Sequence, residues 1–170
     1  MKRQLSLFAL LFVMLLSACS NTDPVKDDLI NYVNTELPSV ADLEWEAIDS
    51  YSSVSGQNYT DDWTMYEIMD TVTIPAYEEF ITKLENIRPK SEAVREIHEI
   101  YIEGSNSQLQ GFKMIRVALE QQDYDKVFEA NEHLDKGRTK IRQFQTKLED
   151  LMHEHGVEYE DETDETDETL

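Results

Sequence analysis

From Asp23 to Gly156 apolar residues recur every three or four positions, and no stretch alternates with period two for long. That spacing gathers apolar side chains on one face of a helix and offers nothing to a sheet. Five glycines and four prolines in 170 residues leave few breaks between the helical stretches. The spacing predicts an all-α fold, an antiparallel helical bundle of about four long helices. A coiled coil has a similar repeat, but the turns here come too often for one extended coil.

Boundaries follow from caps and breakers. Asp23-Pro24 reads as an N-cap with proline at the first helical position. Val25, Leu29, Tyr32/Val33 and Leu37 mark one face. Pro38 interrupts, Ser39 can cap again, and the stripe continues to Val54 before Gly56. This gives two helices, or one kinked at Pro38, serving as a single arm. Ser55 to Thr60 is a loop, and Asp61 or Asp62 starts the next segment. Pro75 sits inside that segment after Val72-Thr73-Ile74, so a kink is expected over 71–75. A fourth segment runs from Glu92 to Gln122 and a fifth from Asp123, with Gly156 as its C′ residue and His153 and His155 in its last turn.

Gly104, Gln108 and Gly111 fall on the apolar stripe of the fourth segment. Two physical accounts fit. Either a neighbouring helix approaches closely there, or the middle is open opposite the Pro75 kink, as a pocket or hinge.

The N-terminus carries an address. Lys2 and Arg3 precede the run LSLFALLFVMLL over 5–16, which has the layout of a secretory signal and is short for a spanning helix. Leu16-Ser17-Ala18-Cys19 follows, with the chain's only cysteine directly after two small residues. This resembles the lipobox of bacterial lipoproteins. The resemblance implies a diacylglycerol on the Cys19 thiol, cleavage just before it and Cys19 as the mature N-terminus, with two or more acyl chains such as palmitate holding the protein on a bilayer. It implies the extracytoplasmic face of the cell membrane, in a monoderm or a diderm envelope. The expected organisation is a signal peptide over 1–18, an anchor and linker over 19–22, the bundle over 23–156 and a tail over 157–170.

That tail contains Asp-Glu-Thr three times and eight carboxylates without a base. It repels itself, buries little, and is expected to be disordered. The whole chain carries a formal charge of −21. Such a balance excludes nucleic acid, which needs a basic face, and opposes anionic lipid, so the lipid anchor does the tethering.

Catalytic and metal-binding patterns are missing from the sequence. No histidine belongs to a Glu-x-x-His pair, and neither His98-Glu99 nor His153-Glu154 continues to a zinc-protease spacing. No Gly-x-Ser-x-Gly elbow and no phosphate-binding glycine loop occur. The reading is therefore non-enzymatic, with no metal and no cofactor. Aromatics concentrate around the second and third segments, where Tyr51, Tyr66 and Tyr77 lie on core stripes. Trp45, Tyr59 and Trp63 are the candidate ligand-binding residues, because Trp45 leaves its stripe, Tyr59 is in the loop and Trp63 opens its helix.

The leading function is a membrane-anchored interaction module for an envelope or secreted protein. The alternative is a small-ligand or metal-binding lipoprotein, and a third reading is an envelope hydrolase using two carboxylates about 5–9.5 Å apart.

Overall fold

A computed structural model describes residues 23–159, and these are all-helical, with no strand among them. The basic start, the apolar run, Cys19 and residues 160–170 of the acidic tail lie outside the described residues. No described helix is long and apolar enough to cross a membrane.

Asp23 starts the first helix as its capping pattern predicts. Its carboxylate accepts from the Val25 and Lys26 amides, each at 3.1 Å, and Pro24 fills a position whose N–H would have no partner. Helix α1 is Pro24–Asn31, and a π-helical turn, Tyr32–Glu36, passes directly to α2, Pro38–Ser53. The Leu37 amide reaches back five residues to the Tyr32 carbonyl at 2.9 Å. Because the helical path is not interrupted, Ser39 has no orphan amide to cap. Its hydroxyl donates instead to the Glu36 carbonyl at 2.6 Å.

The same device recurs at Pro75. Helix α3, Asp62–Ile68, continues through a π-helical turn, Met69–Thr73, into α4, Ile74–Leu84, with Pro75 in its first turn. A wide turn accommodates the residue that lacks an N–H without ending the helix. Helix α5 is Glu92–Gln121 and α6 is Asp125–His155. Ser91 caps α5 by accepting from the Val94 amide. Helix α6 starts two residues after the sequence-based boundary at Asp123, because the Asp123 amide closes the end of α5 on the Ala118 carbonyl.

Helices α5 and α6 form the most closely packed pair. Gly104 meets Gly137 and Ile141, whereas Gly111 meets Leu134 and Ala130. One set of numbers falls as the other rises, so the two helices run in opposite directions. A Cβ at 104 would lie 3.2 Å from the Gly137 carbonyl oxygen, and one at 111 would lie 3.0 Å from that of Ala130. The glycine window is therefore a close helix approach within an uninterrupted helix, the first of the two accounts. The Ser107 hydroxyl donates to the His133 carbonyl at 3.0 Å across the same seam.

Buried and part-buried polar bonds pin the remaining elements to α5, to the residues just before it and to one another. Asp28 on α1 accepts from the Lys90 amide, the Ser91 amide and the Ser91 hydroxyl at 2.8–2.9 Å. Further along, Tyr32 bonds His98 at 3.0 Å and Tyr101 donates to Glu44 at 2.6 Å. On α4, Tyr77 donates to Gln108, and Ser50 of α2 bonds Thr73 at 2.8 Å. Tyr32, Tyr77, Phe80, Phe112, Met69, Leu84 and Leu134 are fully buried around these bonds. Each bond satisfies groups whose burial would otherwise cost about 1–3 kcal/mol. Burial holds the Glu44 carboxyl above its usual range, against the opposing Tyr101 bond, and holds the His98 imidazole below its own.

Gly156 ends α6 in the left-handed conformation, φ 59°, where a side chain would be strained. Val157, the first residue of the tail in the sequence reading, is buried, and its amide donates to the Met152 carbonyl at 2.9 Å. The core extends to it because the left-handed turn folds the chain back over the helix end. Here α6 meets α1: His155 bonds Asp23 at 2.6 Å, and Lys26 donates to the Gly156 carbonyl at 2.8 Å.

Candidate functional site

The α2–α3 loop and the α5–α6 turn meet at the opposite end of α6 from Asp23. Loop geometry there is locally determined. Gly56 takes φ 59°, and the Asn58 side-chain amide donates to the Ser52 carbonyl at 2.9 Å. Asp61 then caps α3, accepting from the Thr64 amide at 2.9 Å and the Thr64 hydroxyl at 2.8 Å. Those two bonds hold its carboxyl below the ordinary value. The cap fixes Asp62 and Trp63 as the first two helical residues.

On the other side, Gln122 ends α5 in the left-handed region at φ 54°. This reversal brings Tyr124 back toward α3. Asp62 is bonded from both sides: the Tyr59 hydroxyl donates to Oδ1 at 2.7 Å and the Tyr124 hydroxyl to Oδ2 at 3.0 Å. The Asp62 bond pushes the Tyr59 phenol up to about 12, and it raises Tyr124 in the same way. A carboxylate that accepts two phenols is fixed in position while its phenols stay protonated.

Two cavities flank this junction. The first, of about 690 Å³, lies between Trp63 and Tyr66 on one wall and Leu119, Glu120 and Gln122 on the other. The second, of about 670 Å³, is lined by Tyr51, Tyr59, Tyr124, Asn131 and Arg138 among others. Both share Asp62 and Leu119. Trp63 stacks on Tyr66 with ring centroids 6.1 Å apart and planes at 23°. Its side chain is nevertheless 70% exposed, beside Tyr124 at 62% and Tyr59 at 45%, and Phe128 in the first turn of α6 reaches 76%. Four aromatics are thus exposed at this end of the molecule, while Trp45 and Tyr159 are exposed elsewhere.

Of the three aromatic residues singled out from the sequence, the fold brings two together. Tyr59 and Trp63 flank Asp62 at this apex. Trp45 is 71% exposed on α2 but lines neither cavity. Cys19 lies outside the described residues. Tyr51 and Tyr77 do lie on packed faces, although Tyr51 also borders the second cavity, whereas Tyr66 is half-buried outside the core, where it stacks on Trp63 and lines the first cavity. Tyr124 and Phe128 escaped the sequence reading. Phe128 had a legible signal, since it departs from the Val127, Ala130, Leu134 stripe, whereas Tyr124 depends on a turn geometry that spacing does not encode.

The terminal histidines do not converge. His155 is turned to Asp23, and among the described residues no group of three or more His, Asp or Glu side chains surrounds a potential metal position. Compared with protein-family models, with curated proteins and with solved structures, the chain matches none.

Proposed function

We propose that this chain is a lipid-anchored, extracytoplasmic interaction module, non-enzymatic, that presents its aromatic apex to a protein of the cell envelope. The observation that carries the reading is the placement of Trp63, Tyr59, Tyr124 and Phe128 at the end of α6 remote from Asp23. Asp23 follows the acylated Cys19 by four residues, so the Asp23–His155 contact marks the membrane-proximal end. Helix α6 has 31 residues, which at 1.5 Å per residue carries the apex about 46 Å outward.

The described pairings support an antiparallel four-arm bundle as the body. Asp28, Tyr32 and Glu44 meet Ser91, His98 and Tyr101 in ascending order, whereas Asp70, Tyr77 and Glu85 meet Arg116, Gln108 and Asn106 in descending order. In this reading α1–α2 and α3–α4 are single arms, bent at their π turns near Pro38 and Pro75. Such a rod suits a tethered binding module, because rigid arms carry a distal surface clear of the bilayer. The acidic tail leaves from the anchored end, where its charge keeps the body off anionic lipid.

Photo-crosslinking residues placed at Trp63 and Phe128, with one at exposed Thr146 on α6 as reference, test the reading in intact host cells. A single protein adduct from both apex positions and none from Thr146 is the expected result. Equal labelling at all three positions, or none at the apex, removes the proposal. Cys19→Ala is expected to move the protein out of the membrane fraction.

A second reading, a small-ligand lipoprotein, is favoured by the cavity sizes, which fall within the range of about 300–1,000 Å³ seen for ligand sites. Its test is a ligand-dependent rise in melting temperature without any protein adduct.

A further inference from the structure

We propose that the groove between Trp63 and Leu119 receives an arginine or lysine side chain from the contact segment of the partner. This rests on the interaction-module reading and names the chemistry of what that module binds. Trp63 is held by its stack on Tyr66 while most of its surface stays open. An indole face is the best side-chain acceptor for a cation, and Arg guanidinium groups use it most often. Leu119 supplies an apolar surface for the methylene stem of such a residue.

Charge sets the sign of the ligand. Asp61, Asp62 and Glu120 line this cavity, and neither Lys nor Arg does. Asp61 is fixed by Thr64, and Asp62 by two tyrosines, so two of the three carboxylates keep their places before any ligand arrives. Glu120 stands on the opposite wall, at the end of α5. An acidic segment would face three like charges, and a purely apolar one would strip water from them without a counter-charge. A cationic side chain over Trp63 meets both the ring and the carboxylates. The formal charge of −21 adds long-range attraction for a basic segment and raises the encounter rate at low salt.

The test reads Trp63 emission in the full chain purified in detergent, in a Trp45→Phe background that leaves one indole. Three nine-residue Gly/Ser peptides serve as probes, carrying three arginines, three citrullines or three glutamates. The arginine peptide is expected to change Trp63 emission saturably, with affinity falling at least tenfold for citrulline and no response to glutamate. Glu120→Gln is expected to weaken the arginine response at least threefold. That change removes a carboxylate from a helix C-terminus, where it is electrostatically unfavourable, so folding is not at risk. Attraction of the peptide to the acidic tail leaves Trp63 emission unaffected and survives Glu120→Gln.

Equal responses to arginine and citrulline overturn the proposal, as does silence toward arginine with a response to tri-N-acetylchitotriose, which would mark a saccharide groove. Apex crosslinking that still captures one partner, combined with silence toward arginine, removes the cationic ligand and leaves the interaction module standing. Loss of both removes both.

Discussion

An alanine methyl at position 137 would lie 2.4 Å from Cγ of Gln108 and 2.9 Å from the carbonyl oxygen of Gly104. The side chain can shift; the backbone cannot without parting α5 from α6. Overpacking of this kind costs about 1–3 kcal/mol, against a gain of about 1 kcal/mol in helix propensity. Gly137→Ala is therefore expected to lower stability by up to about 2 kcal/mol in urea unfolding. A stabilised variant would show that the seam is looser than its geometry. Asp28 gives a second single-residue test. Burial opposes its ionisation, but bonds from Ser91 and Lys90 outweigh that and hold its carboxyl below the usual range. A depressed native value means that the stability it supplies is complete above the unfolded value of about 3.9 and is lost as pH falls through the native one. Asp28→Asn is expected to cost about 1–3 kcal/mol at pH 7. The gap from the parent chain should narrow below about pH 4, whereas a gap independent of pH would mean that ionisation of Asp28 contributes nothing.

At the scale of elements, the two π turns are the feature that proline rules leave undetermined. Pro38 and Pro75 announce a disturbance, and the sequence reading placed kinks there. A π turn inserts one residue into a continuous helix, which rotates what precedes it by about 100°. Which resolution a chain adopts depends on the faces that must be buried on either side. Here Met65 before the turn, Met69 within it, and Tyr77 and Phe80 after it are all buried, and Thr73, also within it, is held by Ser50. In a Pro75→Ala background, where no ring needs the wide turn, removing one residue from it should restore α-helical geometry while both faces stay where they are. Deletion of exposed Thr71 is accordingly expected to cost less than deletion of exposed Glu79 in α4, which rotates Met65, Met69 and Thr73 away from their partners. Melting temperatures compare the two, and equal losses would show that the turn is not an inserted residue. Caps were more legible than turns. Asp23 and Asp61 act through atoms two or three residues away, so their spacing carries the information, whereas Ser39 lost its capping role to the continuous helical path.

For the whole molecule, the core boundary is a sharper test than any surface change. A chain ending at Gly156 loses Val157, a buried side chain with a bond to Met152, and burial of a valine contributes about 1.5–3 kcal/mol. A chain ending at Tyr159 keeps both, and removal of 160–170 takes away mostly carboxylates. The longer chain is expected to match the melting temperature of the full protein, and the shorter one to fall by several degrees. Equal melting temperatures for the two truncations would mean that Val157 adds nothing to the core. The site was half legible on the same grounds. Tyr59 and Trp63 are near neighbours in sequence, beside a turn and a cap, so local rules single them out. Tyr124 and Glu120 come from a junction some sixty residues away, and only the packing of α5 against α3 puts Tyr124 on Asp62 and Glu120 across from Trp63.

What the amino-acid sequence determined by itself is helicity, most helix ends and the residues kept out of the core, because these follow from spacing and from contacts within one turn. Tertiary structure decided how the prolines are absorbed, why Gly104 packs on Gly137 and Gly111 on Ala130 and Leu134, and which exposed aromatics share a surface. Those outcomes depend on which faces meet across α5 and α6, a relation between residues distant in the chain. No local pattern holds that information, since the same stripe can be buried against several partners and only one choice buries all of them at once.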